Sequence, residues 1–189
     1  MNFRYFLYFI TISLLVSCAS YKASYADKKA PKTVTPTKEL IHSFYLIGDA
    51  GNAKMDETIP SLTYFQKEVA KATKNSTALF LGDNIYPYGM PKKESTERKL
   101  AEHRLQTQID AVKNFNGRPI FIPGNHDWYN GVKGLKRQEK MVEKALGKNS
   151  FLPENGCGLK KVTINDDLTL IIIDSRWFIS NWDKHPTIN

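Results

Sequence analysis

Three short turns carry the residues that could do chemistry: Gly48-Asp49-Ala50-Gly51-Asn52, Gly82-Asp83-Asn84-Ile85-Tyr86 and Gly124-Asn125-His126-Asp127. They bring carboxylates, an amide oxygen, a phenol and an imidazole, a donor set suited to divalent or trivalent first-row metals. A carboxylate such as Asp83 has two oxygens and can bridge two ions. Two ions about 3.5–4 Å apart can clamp a phosphoryl group and activate a water for in-line attack. One such turn alone is ordinary turn chemistry. Three in order, each closing an apolar run, form a pattern.

Those runs must position the turns. Ser43-Phe44-Tyr45-Leu46-Ile47, Thr77-Ala78-Leu79-Phe80-Leu81 and Pro119-Ile120-Phe121-Ile122 read as buried strands. Helically patterned segments of crossover length lie between them. The result is a βαβαβ unit whose parallel strands place all three turns at one carboxyl edge of a sheet. Ligand sites of open α/β sheets lie at that edge. Asp49, Asp83, Tyr86, Asn125 and His126 are therefore expected to converge.

The series GDAGN, GDNIY, GNHD resembles the first three motifs of the calcineurin-like metallophosphoesterases. Many members open with Asp-x-His, and here Gly51 stands where that His would be. In the purple acid phosphatase branch this loss accompanies a Tyr three residues after the second Asp, and Tyr86 holds that place. The resemblance implies a layered α/β fold with two metal ions. Asp49, Asp83 and Tyr86 would bind the first, with Asp83 bridging to the second, and Asn125 would bind the second. His126 would be catalytic with Asp127 orienting it, and Asn84 and His126 would contact substrate. A hard phenolate implies Fe(III), paired with a divalent Fe, Zn or Mn. The resemblance covers roughly residues 41–189. The family's further His ligands find only His185 here, and no Gly-His-x-His occurs. The chain thus reads as the N-terminal part of a longer catalytic domain.

The first residues differ in kind. Met1-Asn2-Phe3-Arg4 gives a positive start, and Tyr5 to Val16 is almost wholly apolar. That is shorter than the roughly 20 residues of a membrane span and has the length of a signal-peptide core. Leu15-Val16-Ser17-Cys18 resembles the lipobox of bacterial lipoproteins, so residues 1–17 are expected to be removed and Cys18 lipidated. The alternative is a general secretory signal with Cys18 incidental. Residues 18–40, rich in Ser, Thr, Lys, Ala and Pro, read as a flexible tether to a domain at 41–189.

The 189-residue chain has a formal charge of +8. Its basic residues are scattered rather than gathered with stacking aromatics, so nucleic-acid binding is not expected. Steering of an anionic substrate is a softer use of the charge. Helices are predicted over Ile59–Thr73, with Leu62, Phe65 and Val69 buried, over Glu94–Phe115, and over Leu135–Leu146. Gly158–Ile164 and Leu168–Ile173 read as two strands. Tyr88 sits in a loop that should rim the site. Trp128 and Tyr129 either bound a substrate pocket or cover the sheet edge. Asp174 either shapes the pocket or is a turn residue. His103 reads as a surface or packing residue, and Cys157 as a free thiol or one paired elsewhere.

Together these readings describe an exported, membrane-anchored, acid-phosphatase-like hydrolase, monoesterase or diesterase, of a phosphate-ester small molecule or phosphoprotein, with this chain alone expected to be nearly inactive for want of the further His ligands. The alternative is an inactive fragment or a metal- or phosphate-binding protein.

Overall fold

The computed structural model describes residues 39–57 and 59–185. The signal segment, Cys18 and the tether up to residue 38 lie outside the described residues. Among the described residues no helix is long and apolar enough to cross a membrane.

β1 (Ser43–Ile47), β2 (Ser76–Phe80) and β3 (Arg118–Phe121) form a parallel sheet in the order β1-β2-β3. Ser43 lies opposite Ser76, and Thr77 opposite Arg118. α1 (Pro60–Val69) and α2 (Arg98–Val112) are the crossovers. The predicted βαβαβ unit is therefore present, with each strand boundary within one residue of the apolar run. After β3 a 3-10 turn (His126–Asn130) leads into α3 (Gly131–Leu146). The chain then returns to lay Phe151 parallel beside Phe121, with Phe121 N–H donating to the Ser150 carbonyl and Leu152 N–H to the Phe121 carbonyl, both at 2.8 Å. β4 (Leu159–Asn165) and β5 (Leu168–Ile173) make an antiparallel hairpin, and a short α4 (Ser175–Phe178) follows.

The helices differ from expectation at their ends. α1 has Pro60 in its first turn, where a missing N–H costs nothing. It stops at Val69 because the Lys71 and Ala72 N–H groups close tighter bonds to Glu68 and Val69. α2 starts at Arg98 rather than Glu94. Ser95 Oγ accepts from Glu97 N–H there, and such a local bond competes with helix. α3 starts at Gly131, four residues before Leu135, and ends at Gly147, whose φ of 95° suits glycine.

Two cores flank the sheet. On the helical side, Ala78, Phe80 and Phe121 pack against Leu62, Phe65 and Val69 of α1, Leu105 and Ile109 of α2, and Leu135 of α3. Phe80 and Phe121 stack at 4.0 Å between ring centres. On the other side, Leu79, Ile120 and Leu152 meet Val162 and Ile172 of the hairpin. β2 is buried along its whole length. β1 is expected to be covered on both faces and is not: the hairpin packs on Leu79 of β2 and Ile120 of β3. Phe44 is 38% exposed and Leu46 57%.

Candidate metal centre

The three turns meet at the carboxyl edge. Asp49 N–H donates to the Gly82 carbonyl at 3.1 Å, and Gly51 N–H to the Asp83 carbonyl at 3.1 Å. This approach leaves no room for a side chain at position 51, where a Cβ would lie 2.2 Å from the Asn84 carbonyl carbon. The missing His of the first turn is thus a steric requirement of this loop. Gly124 is equally tight, its Cβ position lying 2.3 Å from Asp83 Oδ1. Asp49 and Asp83 both occupy the left-handed region, with φ of 57° and 53°. Neither is the glycine that such a conformation favours.

At the centre, Tyr86 Oη lies 2.6 Å from Asp49 Oδ1 and 2.9 Å from Asp83 Oδ2. The phenol has one proton and can donate to one carboxylate at a time, so the other contact sets two oxygens face to face. Adjacent oxygen ligands of an octahedral ion at about 2.0 Å stand about 2.8 Å apart, the spacing found here. The donor set therefore fits a hard cation. Among the described residues no three His, Cys, Asp or Glu side chains cluster, and the third anionic donor is the phenol. Burial raises the Tyr86 pKa, and hydrogen bonds to Asp49 and Asp83 raise it further, so without a cation the phenol stays protonated.

Asp83 Oδ1 accepts from the His126 N–H at 3.0 Å, joining the second turn to the third. Asn125 Nδ2 donates to the Tyr129 hydroxyl at 3.3 Å, a contact that does not engage the amide oxygen. The His126 ring stands 4.4 Å from the Tyr86 ring and 5.1 Å from Tyr129. Its Nδ1 is 2.6 Å from the Pro87 carbonyl, which can only accept. Nδ1 therefore carries the proton, and Nε2 remains for chemistry.

Two expected roles are corrected. Asp127 does not orient His126; Pro87 does. Asp127 is fully buried, and its oxygens accept from the N–H groups of Gly124, Asn84 and Ile85 at 2.8–3.1 Å and from Asn84 Nδ2 at 3.2 Å. Burial pushes its carboxyl up to about 7, against the pull of the Gly124 and Asn84 amides. Asn84 does not contact a substrate space. It is fully buried, with Nδ2 donating to the Ile122 carbonyl at 2.8 Å. Asn84 and Asp127 form a polar knot that ties the second turn to the third.

His185 is also away from the centre, buried against Trp177 at 4.5 Å between rings. His103 meets the Lys54 carbonyl at 3.0 Å, and Cys157 is an exposed free thiol. The two third-turn aromatics differ in setting. Trp128 is buried, with Nε1 donating to Asp174 Oδ2 at 2.8 Å, while Tyr129 is 52% exposed. Asp174 caps α4, accepting from the Trp177 N–H at 3.1 Å, and burial raises its pKa against the Trp128 bond.

A cavity of about 620 Å³ opens over Asp49, Asp83 and Asn125, walled by Tyr129 and, from α4, by Arg176. Sequence reasoning missed Arg176. The available signal was an Asp-Ser-Arg step at the end of an apolar strand.

No curated protein matches the chain. A family model described as calcineurin-like phosphoesterase does match, over residues 42–189, a span holding all three turns and the strands behind them. The chain belongs to the calcineurin-like phosphoesterase family, metal-dependent phosphoester hydrolases that generally use two metal ions.

Proposed function

We propose that this chain is a phosphate-ester hydrolase of the purple acid phosphatase type. The observation that carries the reading is the close triangle of Asp49, Asp83 and Tyr86 oxygens beside a Gly51 that excludes a side chain. Asp49, Asp83 and Tyr86 would hold one ion, Fe(III) by the hardness of a phenolate, and Asp83 with Asn125 a divalent Fe, Zn or Mn. When bound, the ions would neutralise phosphoryl oxygens and supply a nucleophilic water at neutral pH. His126, fixed through Nδ1, has Nε2 free to hold the phosphate or pass a proton to the leaving oxygen. Asp127 and Asn84 keep the turns in register and touch no reacting atom.

The substrate is a small phosphate ester or a phosphoprotein. The protein is an exported lipoprotein held at a membrane by acylated Cys18, a reading supported by the lipobox-like Leu15-Val16-Ser17-Cys18. Cys18→Ser should abolish radiolabelled-palmitate incorporation, and unchanged labelling overturns the anchor.

One observation favours a second reading, a metal- or phosphate-binding protein with little turnover. Among the described residues, His126 is the imidazole at the centre and His185 packs elsewhere. Iron loading separates the two. The hydrolase reading expects bound metal together with turnover of an aryl phosphate. Bound metal without turnover selects the second, and neither bound metal nor bound phosphate overturns both.

A further inference from the structure

We propose that Arg176 is the anion-recognising side chain of the cavity and selects phosphomonoesters over phosphodiesters. The inference rests on the hydrolase reading and names the substrate class of that same site.

Arg176 lines the cavity that contains Asp49, Asp83 and Asn125, and among the described residues it is the one cationic side chain doing so. It is half-buried, yet its guanidinium makes no hydrogen bond or ion pair among the described residues. The nearby Asp174 carboxylate attracts it electrostatically without pairing with it. A cation held in a cavity without a partner is placed for a ligand that brings the counter-charge.

Its placement is not loose. Asp174 caps α4 and is tied to Trp128 in the third turn. Trp177, next to Arg176, lies over Gly158, where a Cβ would come within 2.5 Å of the indole. The His185 ring packs against the indole at 4.5 Å between centres. The guanidinium is therefore carried on a short helix fastened to the turn that bears Asn125 and His126.

A guanidinium presents parallel N–H groups that match two oxygens of one phosphoryl group. A phosphomonoester near neutral pH has three peripheral phosphoryl oxygens and a charge close to −2. A diester has two such oxygens and a single charge. An added fixed positive charge beside the phosphoryl group favours the more highly charged ligand, and a diester's second organic group meets the guanidinium in place of an oxygen.

The test uses the full chain with Mn²⁺ present, as wild type, Arg176→Gln and Arg176→Lys. Calorimetric titration measures binding of inorganic phosphate, and para-nitrophenyl phosphate and bis-para-nitrophenyl phosphate serve as monoester and diester. Arg176→Gln should weaken phosphate binding by about ten-fold or more and raise KM for the monoester. The diester should change by less than about two-fold, and Arg176→Lys should recover part of the phosphate affinity. Unchanged phosphate binding in Arg176→Gln, or equal losses for both esters, overturns the proposal. If wild type turns over neither ester but loses phosphate affinity with Arg176→Gln, the anion site stands and the hydrolase reading falls.

Discussion

Trp128 and Asp174 are joined across 46 residues of sequence, the indole Nε1 donating to Oδ2 at 2.8 Å. The bond ties the third turn, which bears Asn125 and His126, to the cap of α4, the helix that carries Arg176. Burial raises the pKa of Asp174, and the sign of its effect on stability follows. A raised carboxyl binds more protons folded than unfolded. Its contribution is full below the ordinary carboxylate value and is lost as pH rises through the folded value. Asp174→Asn keeps an acceptor for Trp128 and cannot ionise. The stability of wild type relative to Asp174→Asn should therefore fall as pH rises above the ordinary carboxylate value. Thermal melts of both proteins across a pH series test this, and parallel curves would refute it.

Asp127 should behave as a structural residue. Asp127→Asn places an NH₂ where an oxygen now accepts from backbone N–H groups. The cost should be about 2–4 kcal/mol, or about 5–10 °C in melting temperature. A metal-free melt reads it directly. An unchanged melting temperature with lost turnover would return Asp127 to the catalytic group.

Position 51 should not accept the His of the wider family. Its Cβ would overlap the Asn84 carbonyl carbon, so even Gly51→Ala should cost about 2 kcal/mol or more. Gly51→His should be less stable still and should gain no metal affinity. Tighter metal binding by the His variant, measured by competition with a chelator, would contradict this account of the loop.

Tyr86→Phe removes one oxygen from the carboxylate triangle. In the iron-loaded protein it should abolish a visible phenolate charge-transfer band and reduce bound iron, with little change in far-ultraviolet circular dichroism. A band that survives the change would place Tyr86 outside the metal shell.

If one carboxylate serves both proposed sites, Asp83→Asn should lower the metal content of both, whereas Asn125→Ala should lower it in one. Elemental analysis of dialysed protein separates these outcomes. Two ions retained in Asp83→Asn would sink the bridging role.

Much of the fold was legible because β1, β2 and β3 are short apolar runs ended by glycine turns. Parallel crossovers then force their carboxyl ends together. The convergence of Asp49, Asp83 and Tyr86 followed from that geometry. The division of labour inside the turns did not. An Asn or Asp after a glycine looks the same whether it faces a cavity or lies buried, and Asn84 and Asp127 are buried. The partner of His126 is the Pro87 backbone, and a carbonyl leaves no trace in residue type. Arg176 escaped notice because its position depends on how α4 is fastened, through Trp128 and Gly158, far away in sequence. The exposed face of β1 was hidden too, since apolar character does not reveal whether a covering layer lies above it.

The backbone at Asp49 and Asp83 carries one more consequence. Each non-glycine residue in the left-handed region costs on the order of 1–2 kcal/mol. Two such penalties fall on residues whose negative charges also stand close together. A library of this chain selected for heat resistance alone, in chelator, should accumulate Gly or Asn at these positions. Sequencing the survivors would show adaptation eroding the two proposed metal ligands first, while variants chosen with metal present should keep both aspartates. Whether this protein can be made hardier without losing its chemistry is thus decided by what is in the buffer during selection.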